Sequence, residues 1–298
     1  MIYYEGMRLR ISKILSSFSQ AMSNPTQYPV MVIGGAEDKV GERTILTTFY
    51  KGAGGAQATI GIVPCASQEP SVVGERYRRI FTEMGVQDVK VLDIRRPHEC
   101  DEARWLEQLD QCTGVFLSGG DQVRLFEFIQ DSTFTTSIKK RLHLGKLVLA
   151  GTSAGAAVMG EKMISGGSSG ESPNRSLVDL MDGLGFIPEL LVDQHFHNRN
   201  RMARLMSAIA AHPDKLGIGI DEDTCAAFQG DGTFQVIGKG SITVIDPREL
   251  TYTNYRGTSG PSPLSLHDLR VHILSNGDQY DYRRRAVCMR SVGALSKF

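Results

Sequence analysis

The sequence predicts an α/β fold with a doubly wound, mostly parallel sheet, and three observations lead to this class. Apolar runs alternate with segments of helical periodicity from residue 28 onward, which is typical of β-α-β units in a parallel sheet. The runs are apolar throughout rather than at alternate positions, as expected for strands covered by helices on both faces. Three strands end in small residues, in IGGAED, LSGGDQ and AGTSAG. Because ligands bind at the carboxyl ends of such strands, we expect an open site where these ends meet.

The first half of the chain contains five predicted strands and three predicted helices. Each predicted strand is a short, largely apolar run, and each predicted helix shows apolar residues at intervals of three or four positions. The predicted strands span 28–35, 57–67, 89–94, 114–120 and 146–155, and the predicted helices span 72–84, 100–109 and 123–142.

The second half has a different pattern. A polar loop rich in Gly and Ser (165–176) precedes a strand-like run, which is followed by a predicted helix at 198–211. Later runs predict strands in a mixed or antiparallel arrangement, closed by a hairpin that turns at Asn276 and Gly277. No repeat or long linker divides the chain, so we expect an N-terminal extension (1–27) and one α/β domain (28–298).

Composition excludes several classes of function. Basic and acidic residues are equal at 33 each, whereas nucleic-acid-binding proteins usually carry a basic excess. No run approaches the ~20 apolar residues that a membrane-spanning helix needs. We therefore expect neither a nucleic-acid nor a membrane partner. The cysteines form no C-x-x-C pair and no zinc-ligand spacing with histidine, which predicts reduced thiols, a cytoplasmic protein and no metal site; they are Cys65, Cys100, Cys112, Cys225 and Cys288.

The segment AGTSAGAAVMG places Ser153 between Gly151 and Gly155, in a G-x-S-x-G pattern. A strongly apolar run precedes it and a small-residue helix start follows it, as a nucleophile on a tight strand-to-helix turn requires. The N–H of Ala154, at a helix N-terminus, would stabilise an oxyanion, together with an N–H of the Gly119–Gly120 loop, for which Gly120 is our candidate. The alternative interpretation is an ordinary strand-to-helix turn.

A serine nucleophile needs a base and an acid that orients it. His195 is the candidate base because it lies in VDQHFHNRNR, directly after an apolar run, and His197 is the second candidate. Either histidine could instead cap a helix. Glu222 is the candidate acid, in the run of three acids at the end of GIGIDED, and Glu171 is the alternative. A solvated turn is the competing interpretation of the three acids.

Three arginines follow the histidines, in NRNRMARLMSAIA. Arg201 and Arg204 are adjacent on a helix flank opposite a core-facing stripe of Met202, Leu205, Met206 and Ile209. A helix N-terminus disfavours cations, so arginines there, including Arg199, suggest an acidic substrate held by guanidinium groups. A solvated polar face, with pairing to internal acids such as Asp193, is the alternative.

Together, VIGGAEDK, FLSGGDQ, GTSAGAAVM, DQHFHNRNRMARL and GIGIDEDTCAAF resemble the cyanophycinase and aspartyl dipeptidase family of serine peptidases. The resemblance spans residues 29–274 and is greater to the cyanophycinase members. It implies a flavodoxin-like sandwich related to class I glutamine amidotransferases, a homodimer, and no metal or cofactor. The implied reaction is exopeptidase hydrolysis of cyanophycin, a polyaspartate with arginine joined to each side-chain carboxyl, to β-Asp-Arg dipeptides.

The resemblance also implies roles for individual residues. It makes Ser153 the nucleophile, His195 the base and Glu222 the acid, although the family's third catalytic residue has also been placed in the loop that holds Glu171. It implies a substrate pocket lined by Gln122, Asp193, Gln194, Arg199, Arg201 and Arg204. The alternatives are a dipeptidase for α-linked Asp-X peptides and a non-catalytic binder of arginine peptides. An α/β-hydrolase esterase orders its triad Ser, acid, His, whereas Glu222 follows His195; that argument would fail if Glu171 were the acid.

Overall fold

The computed structural model describes residues 29–288, and a nine-stranded sheet forms its centre. Five strands of this sheet are parallel, in the order β1, β5, β4, β2, β3. They are β1 (Val30–Ile33), β2 (Thr59–Val63), β3 (Asp88–Val91), β4 (Gly114–Leu117) and β5 (Val148–Thr152). The predicted parallel core is confirmed. The predicted extension (1–27) lies outside the described residues.

Helices cover both faces of the parallel strands, as the uniformly apolar strands predicted. One core lies between the sheet and helices α1 (Thr44–Gly52) and α2 (Pro70–Glu83). The opposite core includes α3 (Ala103–Gln111), α4 (Gln122–Ile129), α5 (Thr133–His143) and α6 (Ala154–Ala157). The fold class is therefore a doubly wound α/β sandwich, although the whole sheet is mixed rather than mostly parallel.

Antiparallel strands extend the sheet beyond β1, in the order β10, β11, β16, β17. A second sheet has the order β15, β12, β9, β8, with β8 and β9 parallel, and β6 pairs with β7 and β13 with β14. The bounds are β6 (Lys162–Gly167), β7 (Val178–Asp182), β8 (Leu190–Gln194), β9 (Leu216–Ile220), β10 (Thr224–Phe228), β11 (Thr233–Gly238), β12 (Ser241–Asp246), β13 (Tyr252–Thr253), β14 (Leu266–His267), β15 (Arg270–Ser275), β16 (Gln279–Asp281) and β17 (Ala286–Cys288).

The prediction of one long helix at 123–142 is wrong, because two helices occupy this range. The first helix ends at Ile129, because Gln130 is extended with ψ 156°, and Asp131 then adopts a left-handed backbone with φ 47°. Ser132 then caps the second: its hydroxyl accepts the N–H of Thr135 at 3.1 Å. A serine before a helical run is a common start signal, and here it decides the boundary.

No helix within residues 29–288 is long and apolar enough to cross a membrane.

The closing hairpin predicted around Asn276 and Gly277 is also wrong in its pairing. The turn forms, with the N–H of Asp278 donating to the carbonyl of Ser275 at 2.9 Å. However, β15 before the turn pairs with β12, and β16 after it pairs with β11. The chain thus passes from one sheet to the other at this turn, a choice that depends on long-range pairing rather than on the turn residues.

Candidate active site

The turn between β5 and α6 presents Ser153 in a strained conformation. Its backbone has φ 53° and ψ −110°, a combination that costs on the order of 1–3 kcal/mol and persists only where the surroundings fix it. Its N–H donates to the carbonyl of Ile33 at 3.0 Å. A side chain at Gly151 would overlap the carbonyl of Gly155, and one at Gly155 would overlap that of Leu117. Both glycines of the G-x-S-x-G pattern are therefore required by close backbone approach.

His195 is the histidine that reaches this serine. The ring atom Nε2 lies 2.9 Å from Oγ of Ser153. The backbone N–H of His195 donates to the carbonyl of Gly34 at 2.8 Å. The ring lies against Gly35, where any side chain would overlap it. Burial lowers the pKa of His195 below its ordinary value, an effect that the hydrogen bond donated by its Nδ1 to Glu222 opposes. The imidazole is therefore largely neutral at neutral pH and able to accept a proton.

Glu222 completes a chain of hydrogen bonds that begins at Ser153. Its Oε1 lies 2.6 Å from Nδ1 of His195, and its N–H donates to Oδ1 of Asn198 at 3.1 Å. A carboxylate on Nδ1 keeps the proton there and leaves Nε2 free to accept the serine proton. Glu171, the alternative acid, is exposed, and none of the contacts described for residues 29–288 joins it to His195. The geometry thus favours Glu222 over Glu171.

The three consecutive acids at the end of β9 avoid mutual repulsion because each has different partners. Asp221 accepts hydrogen bonds from the N–H and Nδ1 of His197, both at 2.9 Å, and from Ser241. Burial alone would raise the pKa of Asp221, but these hydrogen bonds bring it below its ordinary value. Asp223 lies 3.1 Å from Nζ of Lys239. Glu222 is left to contact His195, while His197, the second candidate base, is paired with Asp221.

The arginine segment (residues 199–204) differs from the predicted helical face. A 3₁₀ turn spans His197–Arg199, Asn200 takes a left-handed backbone, and helix α7 begins only at Met202 (Met202–Ala211). Arg199 therefore precedes the helix, and its side chain is exposed. Asparagine accepts the left-handed conformation more readily than most residues, which explains the interruption.

Arg204 is buried rather than on an exposed flank, at 5% exposure. Its Nε donates to Oδ2 of Asp193 at 2.8 Å and its Nη2 to Oδ1 of the same carboxylate. Arg201 donates to the carbonyl of Gln194 and lies 3.4 Å from Asp193. Burial lowers the pKa of Arg201 to about 10, so it stays charged at neutral pH. Pairing with internal acids, the alternative considered for these arginines, describes Arg201 and Arg204.

Of the remaining candidates, Gln194 lies beside Ser153, whereas Gln122 contacts the backbone of β6. Oε1 of Gln194 is 3.5 Å from Oγ of Ser153, and the amide of Gln122 donates to the carbonyl of Ser165 at 2.7 Å. Ala154 is the first residue of α6, so its N–H has no partner within the helix. Gly119, next to the candidate Gly120, packs against the serine side chain. Among residues 29–288, no group of three or more His, Cys, Asp or Glu is placed to hold a metal ion.

Sequence reasoning overlooked two residues that support the histidine. Gly35 provides space for the ring, and Asn198 holds the backbone of Glu222. Gly35 lies in the glycine-rich strand end IGGAED, whose small residues indicate close approach at the site but not the ring that packs there. Nothing local in the sequence distinguishes Asn198 from the other polar residues of its segment.

The candidate site lies within a segment of the chain that matches a known protein family. The model of peptidase family S51 matches residues 30–236. The chain belongs to peptidase family S51. The S51 match contains all the candidate site residues, from Gly120 to Glu222. Hence the turn that carries Ser153, the candidate base His195 and the three consecutive acids 221–223 all lie within the part of the chain that matches the family.

Two curated relatives of this S51 peptidase are cyanophycinases. That of Trichormus variabilis (strain ATCC 29413 / PCC 7937) is 56% identical over 275 residues, which is 92% of each chain. That of Geminocystis herdmanii (strain PCC 6308) is 55% identical over 252 residues, 85% of this chain and 93% of the relative. A solved peptidase from an acI-B1 Actinobacterium aligns with TM-score 0.63 at 18% identity, covering 87% of this chain and 99% of that one, and supports the fold.

Proposed function

We propose that this S51 serine peptidase hydrolyses cyanophycin to β-Asp-Arg dipeptides as an exopeptidase, with Ser153 as nucleophile. The observation that carries the proposal is the continuous chain of hydrogen bonds from Ser153 through His195 to Glu222. Identity of 55–56% to cyanophycinases over most of both chains supports the substrate.

The proposed reaction is acyl transfer in two steps. Nε2 of His195 takes the proton from Ser153 as Oγ bonds to the carbonyl carbon of an aspartyl residue. The resulting oxyanion is stabilised by the N–H of Ala154 and by the Gly119–Gly120 loop. His195 then gives its proton to the leaving amine as the C–N bond breaks. Water, deprotonated by His195, then attacks the carbonyl carbon of the acyl-enzyme. As the bond between that carbon and Oγ breaks, His195 gives the proton to Oγ.

The charge beside the candidate base suits a substrate that carries carboxylates. Burial lowers the pKa of His195, and the guanidinium of Arg199 lies close enough to lower it further. Arg199 is exposed and can pair with a substrate carboxylate. Gln194 supplies an amide beside the nucleophile. Gln122, whose amide donates to the carbonyls of Ile164 and Ser165, is proposed as a pocket residue on the family resemblance. Arg201 and Arg204 act indirectly, by fixing Gln194 and Asp193. We also propose a homodimer, on the family resemblance, and a reducing, cytoplasmic location, which the five free cysteines support.

Incubation with purified cyanophycin, followed by mass analysis of the products, tests this function. We expect β-Asp-Arg dipeptides from the unmodified protein and a loss of several orders of magnitude in turnover for the correctly folded Ser153→Ala variant. Near-normal turnover by Ser153→Ala would overturn the mechanism. Hydrolysis of Asp-Leu but not of cyanophycin would instead favour an aspartyl dipeptidase.

A further inference from the structure

A buried carboxyl group lies behind the turn at residues 151–155, here called the nucleophile turn. The proposed mechanism does not use this carboxyl group. Glu37 follows the glycine-rich end of β1 and is only 2% exposed. Oε1 accepts a hydrogen bond from the hydroxyl of Tyr77 and lies 3.0 Å from Nζ of Lys39. Oε2 accepts a hydrogen bond from the hydroxyl of Thr152 at 2.5 Å. Both oxygens are therefore paired, which a buried carboxylate requires.

Thr152 connects this carboxylate to the nucleophile because it directly precedes Ser153. Along β5 its side chain falls on the same sheet face as Val148 and Ala150, both of which pack in the core beneath α1 and α2. The next peptide N–H, that of Ser153, donates to the carbonyl of Ile33. The segment 33–37 thus holds the start of the turn at two points. Glu37 binds the side chain of Thr152, and the carbonyl of Ile33 binds the backbone N–H of Ser153.

The same segment also contacts the other two parts of the proposed triad. The carbonyl of Gly34 accepts the N–H of His195 at 2.8 Å, and the carbonyl of Gly35 accepts the N–H of Asp223, next to Glu222, at 2.9 Å. A shift of this segment would therefore move the serine, the histidine and the acid relative to one another.

We propose that Glu37 is a positioning residue that locks segment 33–37 onto the nucleophile turn through Thr152. This extends the proposed function, since it assumes that Ser153 is the nucleophile. A strained serine needs surroundings that allow one conformation only, and a buried carboxylate with three partners provides such a constraint. Burial raises the pKa of Tyr77 well above its ordinary value, so the phenol remains a donor to Glu37 across the working pH range.

Thr152→Val tests the proposal because it removes the hydroxyl and keeps the branched shape. We expect kcat on cyanophycin to fall by about 10- to 100-fold, as for a small misplacement of a reacting group, with KM within about twofold of the original. The rate at which a serine-directed phosphonate modifies Ser153 should fall by a similar factor. Thr152→Ser, which restores the hydroxyl, should recover both rates.

Thr243→Val is the matched control. Thr243 is a fully buried threonine on β12 whose hydroxyl has no hydrogen-bond partner among residues 29–288, and we expect unchanged kcat and labelling. Tyr77→Phe removes the donor on the other oxygen of Glu37 and should slow labelling by about threefold to tenfold. It also provides the test if Thr152→Val does not fold.

Unchanged labelling rates in the folded variants would overturn the proposal, and so would failure of Thr152→Ser to recover the rate. A loss confined to KM would also contradict it, because a positioning role acts on the reacting groups. Phosphonate labelling involves no cyanophycin. A protein that is labelled at Ser153 but leaves cyanophycin intact would therefore refute the proposed substrate, while the positioning role would still be decided by the labelling rates.

Discussion

The nucleophile turn (residues 151–155) and the arginine segment both contact Gln194, yet different forces hold them in place. The turn is fixed by backbone: two glycines permit close approach, and the N–H of Ser153 binds the carbonyl of Ile33. The arginine segment is fixed by charge, with Arg204 paired to Asp193 in the interior. A motif of small residues therefore marks reactive geometry, whereas a run of charged residues here marks a polar core beside the site.

This difference separates two kinds of mutational effect. Changes in the triad should reduce turnover with little loss of stability, because Ser153 and Glu222 are part-exposed and small changes leave the core intact. Changes in the buried pair should reduce stability, because they leave an unpaired charge in the interior.

Among variants that distinguish the triad from the buried ion pair, we expect the largest loss of turnover for Glu222→Gln. Loss of the carboxylate removes the group that keeps the proton on Nδ1 of His195, and we expect kcat to fall by about 10²- to 10⁴-fold. Burial lowers the pKa of His195, and Glu222 partly offsets this by raising it. Removal of the Glu222 carboxylate should therefore lower the pKa of His195 further. Since the base must be neutral, the acid limb of kcat/KM should move to lower pH.

Glu171→Gln is the comparison variant for this measurement. A larger loss of turnover in Glu171→Gln than in Glu222→Gln would reverse the assignment of the acid. A shift of the acid limb to higher pH in Glu222→Gln would contradict the electrostatic account of His195.

A smaller effect is expected on the free energy of unfolding, when the buried Arg204 and the exposed Arg199 are each replaced. Arg204→Met keeps the aliphatic stem but leaves Asp193 without its bidentate partner, and we expect the free energy of unfolding to fall by about 3–5 kcal/mol. Arg199→Met should change it by no more than about 0.5 kcal/mol and should instead raise KM for cyanophycin. Urea denaturation and steady-state kinetics measure the two effects. Equal stability losses would remove the distinction between the two arginines.

Local signals predicted the parallel strands and the strand-to-helix turn that carries Ser153, because both depend on neighbouring residues. The apolar run before Ser153 and the glycines around it require nothing distant to be recognised. His195 and Glu222 were predicted from their places after apolar runs, although only the fold brings them within hydrogen-bond distance.

Features that depend on distant partners were predicted less well. The burial of Arg204 depends on Asp193 lying on an adjacent strand, and the role of Glu37 depends on Thr152, 115 positions away. The pairing of β15 and β16 with different sheets has the same origin. Periodicity records which face of an element is apolar, but it does not record which charges meet there.

The most direct test of the proposed mechanism is the rate at which a serine-directed phosphonate modifies the protein, with the adduct located by peptide mass mapping. We predict one adduct, on Ser153, and a rate about 10³-fold lower or more in His195→Gln, because the hydroxyl then lacks its base. An adduct on a different residue, or an equal rate in His195→Gln, would contradict the assignment of Ser153 as a nucleophile activated by His195.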